Sequence, residues 1–450
     1  MSKTESKIPT GASPERTPQL GPAPPAEGGG HPPGRKKSSL LFLAGSLAGG
    51  QYISMVVHML GGVLQGRLVA PATLGLFNGI GLALRYAPFL QLGILNGLNR
   101  ELPFHVGKGD RKRVEELAAA AQAWALVVGG LLALGFVGVA AWQAALGNGW
   151  PAAGWLTNAV LAVFFFYTTT YLQSTYRTAH DFSRLAWVNV VQSLVALALL
   201  ALVAWLNFYG LCLRAVLTGA IGTAILYRFR PVRVGPRWNF GHLRHLLSIG
   251  APIFGVGQLY SWWYVINSTL VLKYTGTEGM GLYSMVVMAS STIEYFPLAI
   301  SQVIYPRMAE QFGRDTSVRG LLLIAWKPMV LTSLSLIPVI AVAWWLVEPV
   351  VKFVIPAYAA AVPAMKWGLL LPLAGSFQST FHAFNVVRRQ DLYVVAILLG
   401  MGSTYGSLLW LIRDGASLVA FPQAMLIGKM VFILTCYLFI AYLVRKDGKS

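Results

Sequence analysis

The chain has 450 residues, of which 56% are hydrophobic and only 11% are charged, and its mean hydropathy is +0.59. A soluble domain does not need so much apolar surface, so the composition indicates a protein embedded in a membrane. Two cysteines, Cys212 and Cys436, are too few to indicate a disulfide framework or a metal site. The net charge of +19 would suit a nucleic-acid-binding protein, but the basic residues are spread along the chain, so no nucleic acid partner is expected.

Apolar runs long enough to cross a bilayer follow one another from Leu40 to Val444. A crossing helix needs about 20 apolar residues, and only helices or closed barrels satisfy every backbone group in lipid. Strand-like alternation is absent, so the sequence predicts an all-α integral membrane protein with twelve transmembrane helices. The predicted spans are 38–65, 73–99, 117–141, 152–176, 184–206, 210–228, 246–272, 279–305, 320–347, 361–387, 391–412 and 416–443.

The predicted helices divide into two halves that flank a basic segment. Residues 1–37 contain Pro, Gly, Ser and charge with almost no large apolar side chain, and end in the basic cluster Arg35–Lys37. Such a segment cannot bury enough surface to fold, so it is predicted to be a disordered cytoplasmic tail. One six-helix half is predicted over 38–228 and the other over 246–445, with a basic cytoplasmic connector over 229–245 between them.

Lysine and arginine are distributed unequally between the two ends of the predicted helices. Of the 35, 24 lie in or beside segments that would share the side of residue 1. Those placed at the other side are Arg67, Lys273, Lys352, Lys366 and Arg413. Because positively charged loops are retained in the cytoplasm, both termini are predicted to be cytoplasmic. This topology, together with attraction to anionic membrane lipids, accounts for most of the net positive charge.

The sequence repeats itself at a separation of about 206 residues. The matching segments are Arg67–Asn78 with Lys273–Ser284 at an offset of 206, Gln173–Tyr176 with Gln378–Phe381 at 205, and Arg85–Pro88 with Glu294–Pro297 at 209. Six helices per repeat is an even number, so the halves should insert in the same orientation and be related by a pseudo-twofold axis along the membrane normal. Repeats of this kind are typical of transporters, in which substrate is handled in a central cavity between the halves.

Arg85 and Glu294 occupy equivalent places near the middle of the second and eighth predicted helices, and a proline follows each one three positions later. A charge at the bilayer centre costs at least about 2.5–3.5 kcal/mol, so such residues usually face a cavity or a partner. One interpretation is a structural ion pair between the halves. The other is that Arg85 faces a central aqueous cavity and binds anionic substrate, with Glu294 as its counter-ion or as a gating residue that takes up a proton.

Other basic residues in the predicted helices have two interpretations each. Lys429, near the middle of the twelfth helix, either lines the cavity and contacts substrate or snorkels to the membrane surface. Arg67 and Lys273 are repeat equivalents at the outer ends of the first and seventh helices, and are either interfacial anchors or a positive rim at an outward mouth. Arg214 lies one turn into the sixth helix and is interpreted as a snorkelling residue.

Neutral polar residues give a second, weaker set of candidates. Gln173 and Gln378 occupy equivalent positions in the fourth and tenth predicted helices. They either form hydrogen bonds between helices or contact the sugar of a substrate. His58, in the first helix, is either a satisfied interior polar residue or part of an ion-coupling proton relay.

Enzyme motifs are absent from the sequence. It has no Walker A loop, no paired metal-ligand spacing and no pair of acidic residues in an outer loop. The predicted outer loops are short, which argues against a membrane glycosyltransferase or a polymer ligase. No cofactor is expected, and without an ATP site any work would come from a proton or sodium gradient, the membrane potential or the substrate gradient.

At the level of whole segments, the chain resembles the superfamily of multidrug/oligosaccharidyl-lipid/polysaccharide exporters. Within it, the chain is most similar to the polysaccharide-transport family of lipid-linked oligosaccharide flippases. The resemblance lies in Gly66–Phe77, which is similar to that family's Arg-x-Leu-Gly-Pro turn, and in Leu92–Pro103, which is similar to the end of its second helix. Ala70 stands where the family usually has glycine.

The resemblance implies a MATE-like fold and a flippase function. Such a protein would turn an undecaprenyl-diphosphate-linked repeat unit from the cytoplasmic to the outer face of the bacterial inner membrane by alternating access, for surface polysaccharide biosynthesis. A polysaccharide polymerase or glycosyltransferases would be its protein partners. The alternative within the superfamily is a cation-coupled exporter of drugs or other small molecules, which would need acidic residues for its cation. Only Glu294 is placed deep in the membrane.

Overall fold

The structure is a computed structural model that describes residues 40–179, 181–315 and 317–447. The predicted tail over 1–37, with its basic cluster Arg35–Lys37, lies outside the described residues. Within the described ranges the regular secondary structure is helical and includes no strand. The predicted all-α class is therefore confirmed.

Over residues 40–179 and 181–228, the first half of the chain forms nine α-helices. They are α1 (Leu40–Leu68), α2 (Pro71–Tyr86), α3 (Ile94–Gly107), α4 (Arg111–Ala145), α5 (Gly149–Phe164), α6 (Gln173–Thr178), α7 (Phe182–Ala198), α8 (Leu200–Leu206) and α9 (Phe208–Arg228). A 3-10 turn over Ala87–Gln91 joins α2 to α3. A π-helical stretch over Phe165–Leu172 joins α5 to α6.

The described residues of the second half begin with a long, bent helix. The helices are α10 (Phe240–Asp315), α11 (Val318–Val354), α12 (Val362–Gly368), α13 (Leu371–Gly375), α14 (Gln378–Val386), α15 (Gln390–Leu411) and α16 (Ala420–Asp447), with a 3-10 turn over Pro356–Ala361 before α12. Gly276 has a φ of 69°, which interrupts α10 and divides it into a first arm over 240–275 and a second arm over 277–315. Glycine adopts this backbone conformation without steric cost.

Eight helical segments within the described residues are long and apolar enough to cross a membrane by length and composition. They make the chain a multi-pass membrane protein. Taken with α1, the α2–α3 pair and the two arms of α10, the described segments correspond in order to the twelve predicted spans. The count of twelve membrane crossings, and the two halves as separate domains, stay predictions.

The bundle has two chemically different ends. The basic end carries the loops after α3, α6, α9, α10 and α14, and these loops together with the helix ends beside them hold most of the Lys and Arg of the described residues. The far end carries the turn after α1, the bend at Gly276 and the loops after α4, α11 and α15. At the far end a single apolar core joins both halves and includes Leu74, Tyr283 and Tyr358. The hydroxyl of Tyr358 donates a 2.9 Å hydrogen bond to the Val69 carbonyl within it.

The contacts at the far end repeat themselves across the two halves. A Cβ on Gly75 would overlap the Thr277 carbonyl, and a Cβ on Gly281 would overlap the Pro71 carbonyl. Gly75 and Gly281 are separated by 206 residues, and so are Pro71 and Thr277, so one contact is the repeat image of the other. The repeat found in the sequence is thus a pseudo-twofold relation in space, and its axis passes between α2 and the second arm of α10.

The symmetry is lost toward the basic end. There α3 packs closely on the first arm of α10, since a Cβ on Gly97 would overlap the Leu246 carbonyl. Nearby, the hydroxyls of Tyr86 and Thr269 lie 2.8 Å apart in a hydrogen bond between the halves. The repeat image of this contact would join Tyr295 to Val63, but Tyr295 lines a cavity instead. The α2–α3 side is therefore packed against the first arm of α10. On the other side a cavity separates α1 from the second arm of α10 toward the basic end, although Gly62 and Met288 are in close contact nearer the far end.

The two prolines at equivalent positions have different effects on their helices. After Arg85 the α2 helix ends, and the chain passes through the 3-10 turn to Leu92 and Gly93, whose φ values are 54° and 90°. The second arm of α10 continues as a helix through Pro297. The first proline thus accompanies a helix break, whereas the second lies within a continuous helix.

Candidate functional site

A cavity of 410 Å³ lies between the halves, enclosed by α1, α2, α9 and both arms of α10. Its charged side chains are Arg85 from α2 and Arg214 from α9, and its neutral polar side chains include Gln65, Asn78 and Tyr283. None of the described lining residues is an aspartate or a glutamate. We call this space the arginine cavity.

Arg85 faces this cavity, as one of the two sequence interpretations predicted. It is the penultimate residue of α2, directly before the 3-10 turn over Ala87–Gln91. Its side chain is exposed toward the cavity, and the described residues give it no ion pair or side-chain hydrogen bond. A guanidinium at membrane depth without a counter-ion is costly, so the cavity is suited to an anion.

Arg214 is held in place by neutral acceptors from two helices. Its Nε donates a 2.7 Å hydrogen bond to the Ala196 carbonyl of α7, and its Nη1 donates to the side-chain oxygen of Gln65 on α1. The other Nη lies beside Gly61 of α1. These contacts fix the guanidinium without neutralising its charge. The snorkelling interpretation of Arg214 is therefore wrong, because its side chain points into the bundle.

Glu294 and Lys429 form an ion pair inside the second half. The Lys429 Nζ lies 3.3 Å from Glu294 Oε1, and Tyr264 Oη donates to the same oxygen at 3.3 Å. The Lys429 ammonium also lies 5.2 Å from the centre of the Tyr264 ring. Gly375 of α13 packs against the carboxylate, where a side chain would press on it.

This pairing contradicts the predicted Arg85–Glu294 ion pair in the present conformation. Glu294 faces α13 and α16, whereas Ser291 and Tyr295, on the same arm of α10, face the space between the halves. Lys429 is 3% exposed, is paired with Glu294 and lines neither cavity, and its role as a substrate-contacting cation stays a prediction. Its snorkelling alternative is excluded by this burial.

A second cavity of 620 Å³ adjoins the arginine cavity on the side of the basic end. It lies between α1, α7, α9 and the second arm of α10, and its described lining contains no Asp, Glu, Lys or Arg. His58 lines both cavities and marks their junction, and its Nδ1 lies 2.7 Å from the Ser54 carbonyl. We call this space the neutral cavity.

The other sequence candidates lie away from both cavities. Arg67 borders an apolar groove on the outside of the bundle, between α1 and α8. Lys273 is exposed near the far-end bend, with its ammonium 5.4 Å from the Tyr274 ring centre. Gln173 accepts a 3.4 Å hydrogen bond from Arg177 at the basic end, and Gln378 begins α14. These four residues do not line a common cavity, and their roles in substrate binding stay predictions.

The sequence analysis missed a carboxylate between the halves at the basic end. Glu101 on α3 is 8% exposed, and its Oε2 lies 3.0 Å from His245 on α10 and 3.5 Å from His105. His242 lies nearby, between Arg113 and Glu116. Desolvation by burial and then the positive charge of Arg113 lower the His242 pKa below its ordinary value. Glu101 was placed just outside a predicted span, where acidic residues are common and give no signal.

Chemically, the arginine cavity can bind an anion, and the neutral cavity can bind an uncharged polar group. The described residues include no group of His, Cys, Asp or Glu that could hold a metal ion.

Comparison with known proteins identifies the family. The family model for "Polysaccharide biosynthesis protein" matches residues 67–358, which is well over half of the chain. The chain belongs to this family, and the resemblance to the polysaccharide-transport family is confirmed. No curated protein matches the chain.

Solved structures of MATE transporters share the fold. An inward-facing multidrug resistance MATE family transporter of the MOP superfamily matches with a TM-score of 0.71 at 13% identity, covering 92% of this chain and 96% of that one. An outward-facing structure described in the same words matches with a TM-score of 0.61 at 15% identity, covering 91% and 97%. A MATE protein in complex with MaL6 matches with a TM-score of 0.64 at 13% identity, covering 91% and 97%. The predicted MATE-like fold is therefore confirmed.

Proposed function

Because the chain belongs to the polysaccharide biosynthesis family and has a MATE-type transporter fold, we propose that it is a flippase for a lipid-linked oligosaccharide. Its substrate would be an undecaprenyl-diphosphate-linked repeat unit, moved from the cytoplasmic to the outer face of the bacterial inner membrane. The observation that carries the proposal is the pair of arginines, Arg85 and Arg214, in one cavity between the halves without a lining carboxylate.

A diphosphate is the anion that best matches this cavity. The planar guanidinium donates two parallel hydrogen bonds to phosphate oxygens, and such charge-assisted bonds are roughly twice as strong as neutral ones. Arg214 is already oriented by Ala196 and Gln65, so little conformational entropy is lost when it binds. Arg85 has no described partner to exchange for the ligand.

The asymmetry between the two ends supports alternating access. The far end is closed by the Gly75 and Gly281 contacts, while the neutral cavity extends toward the basic end. The larger TM-score belongs to the inward-facing relative, which agrees with a cavity reached from the cytoplasmic side. The gap between α1 and the second arm of α10 would let the lipid chain stay in the bilayer while its head group enters.

The charge of the cavities argues against a cation-coupled exporter of cationic drugs. Both charged lining side chains are cationic, and Glu294 is occupied by Lys429. Coupling to a proton or sodium gradient through Glu294 or His58 stays a separate prediction, as do a polymerase or glycosyltransferases as protein partners.

Transport of a synthetic substrate by the purified protein tests the proposal. In proteoliposomes, Arg85→Ala and Arg214→Ala are each expected to slow translocation of a polyprenyl-diphosphate-linked sugar by about 10- to 100-fold, because each removes a charge-assisted contact. Arg85→Lys should recover only part of the rate, since an ammonium lacks the planar fork. The measurement is the fraction of labelled lipid that becomes accessible on the other side of the vesicle.

Arg413→Ala is the matched control, because it removes an exposed arginine beside Asp414 at the far end and leaves both cavities intact. It should translocate at the parental rate. The proposal fails if both cavity variants also transport at the parental rate, or if Arg413→Ala loses as much activity as they do.

A further inference from the structure

The neutral cavity presents hydrogen-bonding groups of both kinds in a space without charge. Asn189 and Gln192 come from α7, Thr218 from α9, and Ser291 and Tyr295 from α10. Its volume of 620 Å³ exceeds the 410 Å³ of the arginine cavity that it joins at His58. A ligand bound by the two arginines can thus extend into a larger neutral space.

Two hydroxyl groups beside the neutral cavity lack a partner within the described part of the chain, those of Ser54 and Thr218. Their oxygens are buried away from the cavity space, so a ligand does not reach them directly. The side chains of Asn189, Gln192 and Tyr295 are the lining groups that can contact a polar ligand.

The side-chain amide of Gln192 is held in a position to bind a polar ligand. Its Nε2 donates a 3.3 Å hydrogen bond to the Thr218 carbonyl, which fixes the amide while its oxygen remains an acceptor. In this position the amide occupies the space that a Cβ on Gly222 would fill. Tyr295 is 50% exposed and offers an aromatic ring on the α10 side.

We propose that the neutral cavity binds the sugar next to the diphosphate, and that it selects a sugar without an ionised group. This inference rests on the proposed flippase function and adds the chemical class of the glycan. Amides and hydroxyls match the alternating donors and acceptors of a neutral hexose. A uronic acid would bring a carboxylate into a cavity whose described lining has no lysine or arginine, and burying an unpaired charge is costly.

Binding of three lipids to the purified full-length protein tests the inference. The lipids are a polyprenyl diphosphate without sugar, the same lipid with a neutral hexose, and the same lipid with a hexuronic acid. The hexose lipid is expected to bind about tenfold more tightly than the bare diphosphate lipid, which is the gain from one or two net hydrogen bonds. The hexuronic acid lipid should bind no more tightly than the bare lipid.

Two near-isosteric variants locate the effect. Gln192→Met and Asn189→Leu should each lose most of the gain from the hexose while binding the bare diphosphate lipid as the parent does, which also verifies their folding. Gln143→Met, at the far end of α4 and outside both cavities, is the matched control and should keep the full gain.

The outcomes separate this inference from the function on which it rests. Failure of the parent to bind the bare diphosphate lipid would overturn both. Binding of the bare lipid with equal gains for the hexose and the hexuronic acid would overturn the inference alone. Retention of the full hexose gain by both cavity variants would do the same.

Discussion

At the scale of single residues, equivalence in the sequence repeat did not mean contact in space. Arg85 and Glu294 occupy matching positions in the two halves, and their opposite charges suggested a pair. In the structure Glu294 forms an ion pair with Lys429 of α16, and Arg85 faces the arginine cavity. The two equivalent charges therefore have different surroundings. Glu294 is neutralised by Lys429 within the second half, whereas Arg85 faces the cavity without a described counter-ion.

Double substitution can test the Glu294–Lys429 pair. Removing one member leaves the charge of the other uncompensated, so Glu294→Gln and Lys429→Met should each lower the free energy of unfolding by up to about 3 kcal/mol. The loss should be smaller for Lys429→Met, because the Glu294 side chain that it leaves unpaired is 29% exposed. The double variant should recover most of that loss. The measurement is thermal unfolding of each variant in detergent. Recovery of Glu294→Gln by Arg85→Gln, and not by Lys429→Met, would restore the pair predicted from the sequence.

At the scale of helices, the far end is closed by backbone contacts that tolerate no side chain. Gly75 meets Thr277, and Gly281 meets Pro71, in two copies of one contact. Small residues allow this kind of close helix packing in membranes. Because opening of the far end must separate these same backbones, the glycines should determine how stable the closed conformation is.

Alanine substitution on α2 tests this role. Gly75→Ala inserts a methyl group into the contact and should cost the closed conformation about 1–3 kcal/mol. The population should therefore shift toward a state open at the far end. The measurement is labelling of Asn78→Cys, which lines the arginine cavity, by an impermeant thiol reagent added from the far side, with Cys212 and Cys436 replaced.

Gly81 provides a control on the same helix, because a Cβ there meets nothing within 4 Å. Gly81→Ala should label like the parent and be equally stable or slightly more so, since alanine favours the helix. Labelling of Gly75→Ala that does not exceed that of Gly81→Ala would show that the far-end contacts do not set the access equilibrium.

At the scale of the whole molecule, the features that depend on composition and periodicity could be predicted from the sequence. Hydropathy predicted the helices, and the 206-residue offset predicted a twofold relation that the Gly75 and Gly281 contacts reproduce. The direction in which a helical side chain points could not be predicted for Arg214 or Lys429. Hydropathy records how deep a residue lies, but not whether it faces lipid, a cavity or a neighbouring helix.

The sequence also could not predict on which side of the bundle the neutral cavity lies. Tyr86 and Tyr295 are repeat equivalents, yet one hydrogen-bonds across the halves and the other lines the neutral cavity. A symmetric sequence can specify two such arrangements of nearly equal energy, and the local pattern does not reveal which one is populated. This is the property that alternating access requires.

Topology is the prediction that belongs to the whole molecule, because every functional proposal depends on which end faces the cytoplasm. Reporter fusions after Lys112, Arg237 and Arg319, all at the basic end, should read as cytoplasmic. Fusions after Asn148 and Gly276, at the far end, should read as external, because the positive charge of the basic loops opposes their translocation. If the basic-end fusions read external, the arginine and neutral cavities would open away from the site of lipid-linked sugar synthesis. A single basic-end fusion that reads external would contradict the prediction of twelve spans. It would not affect the assignment of the Glu294–Lys429 ion pair.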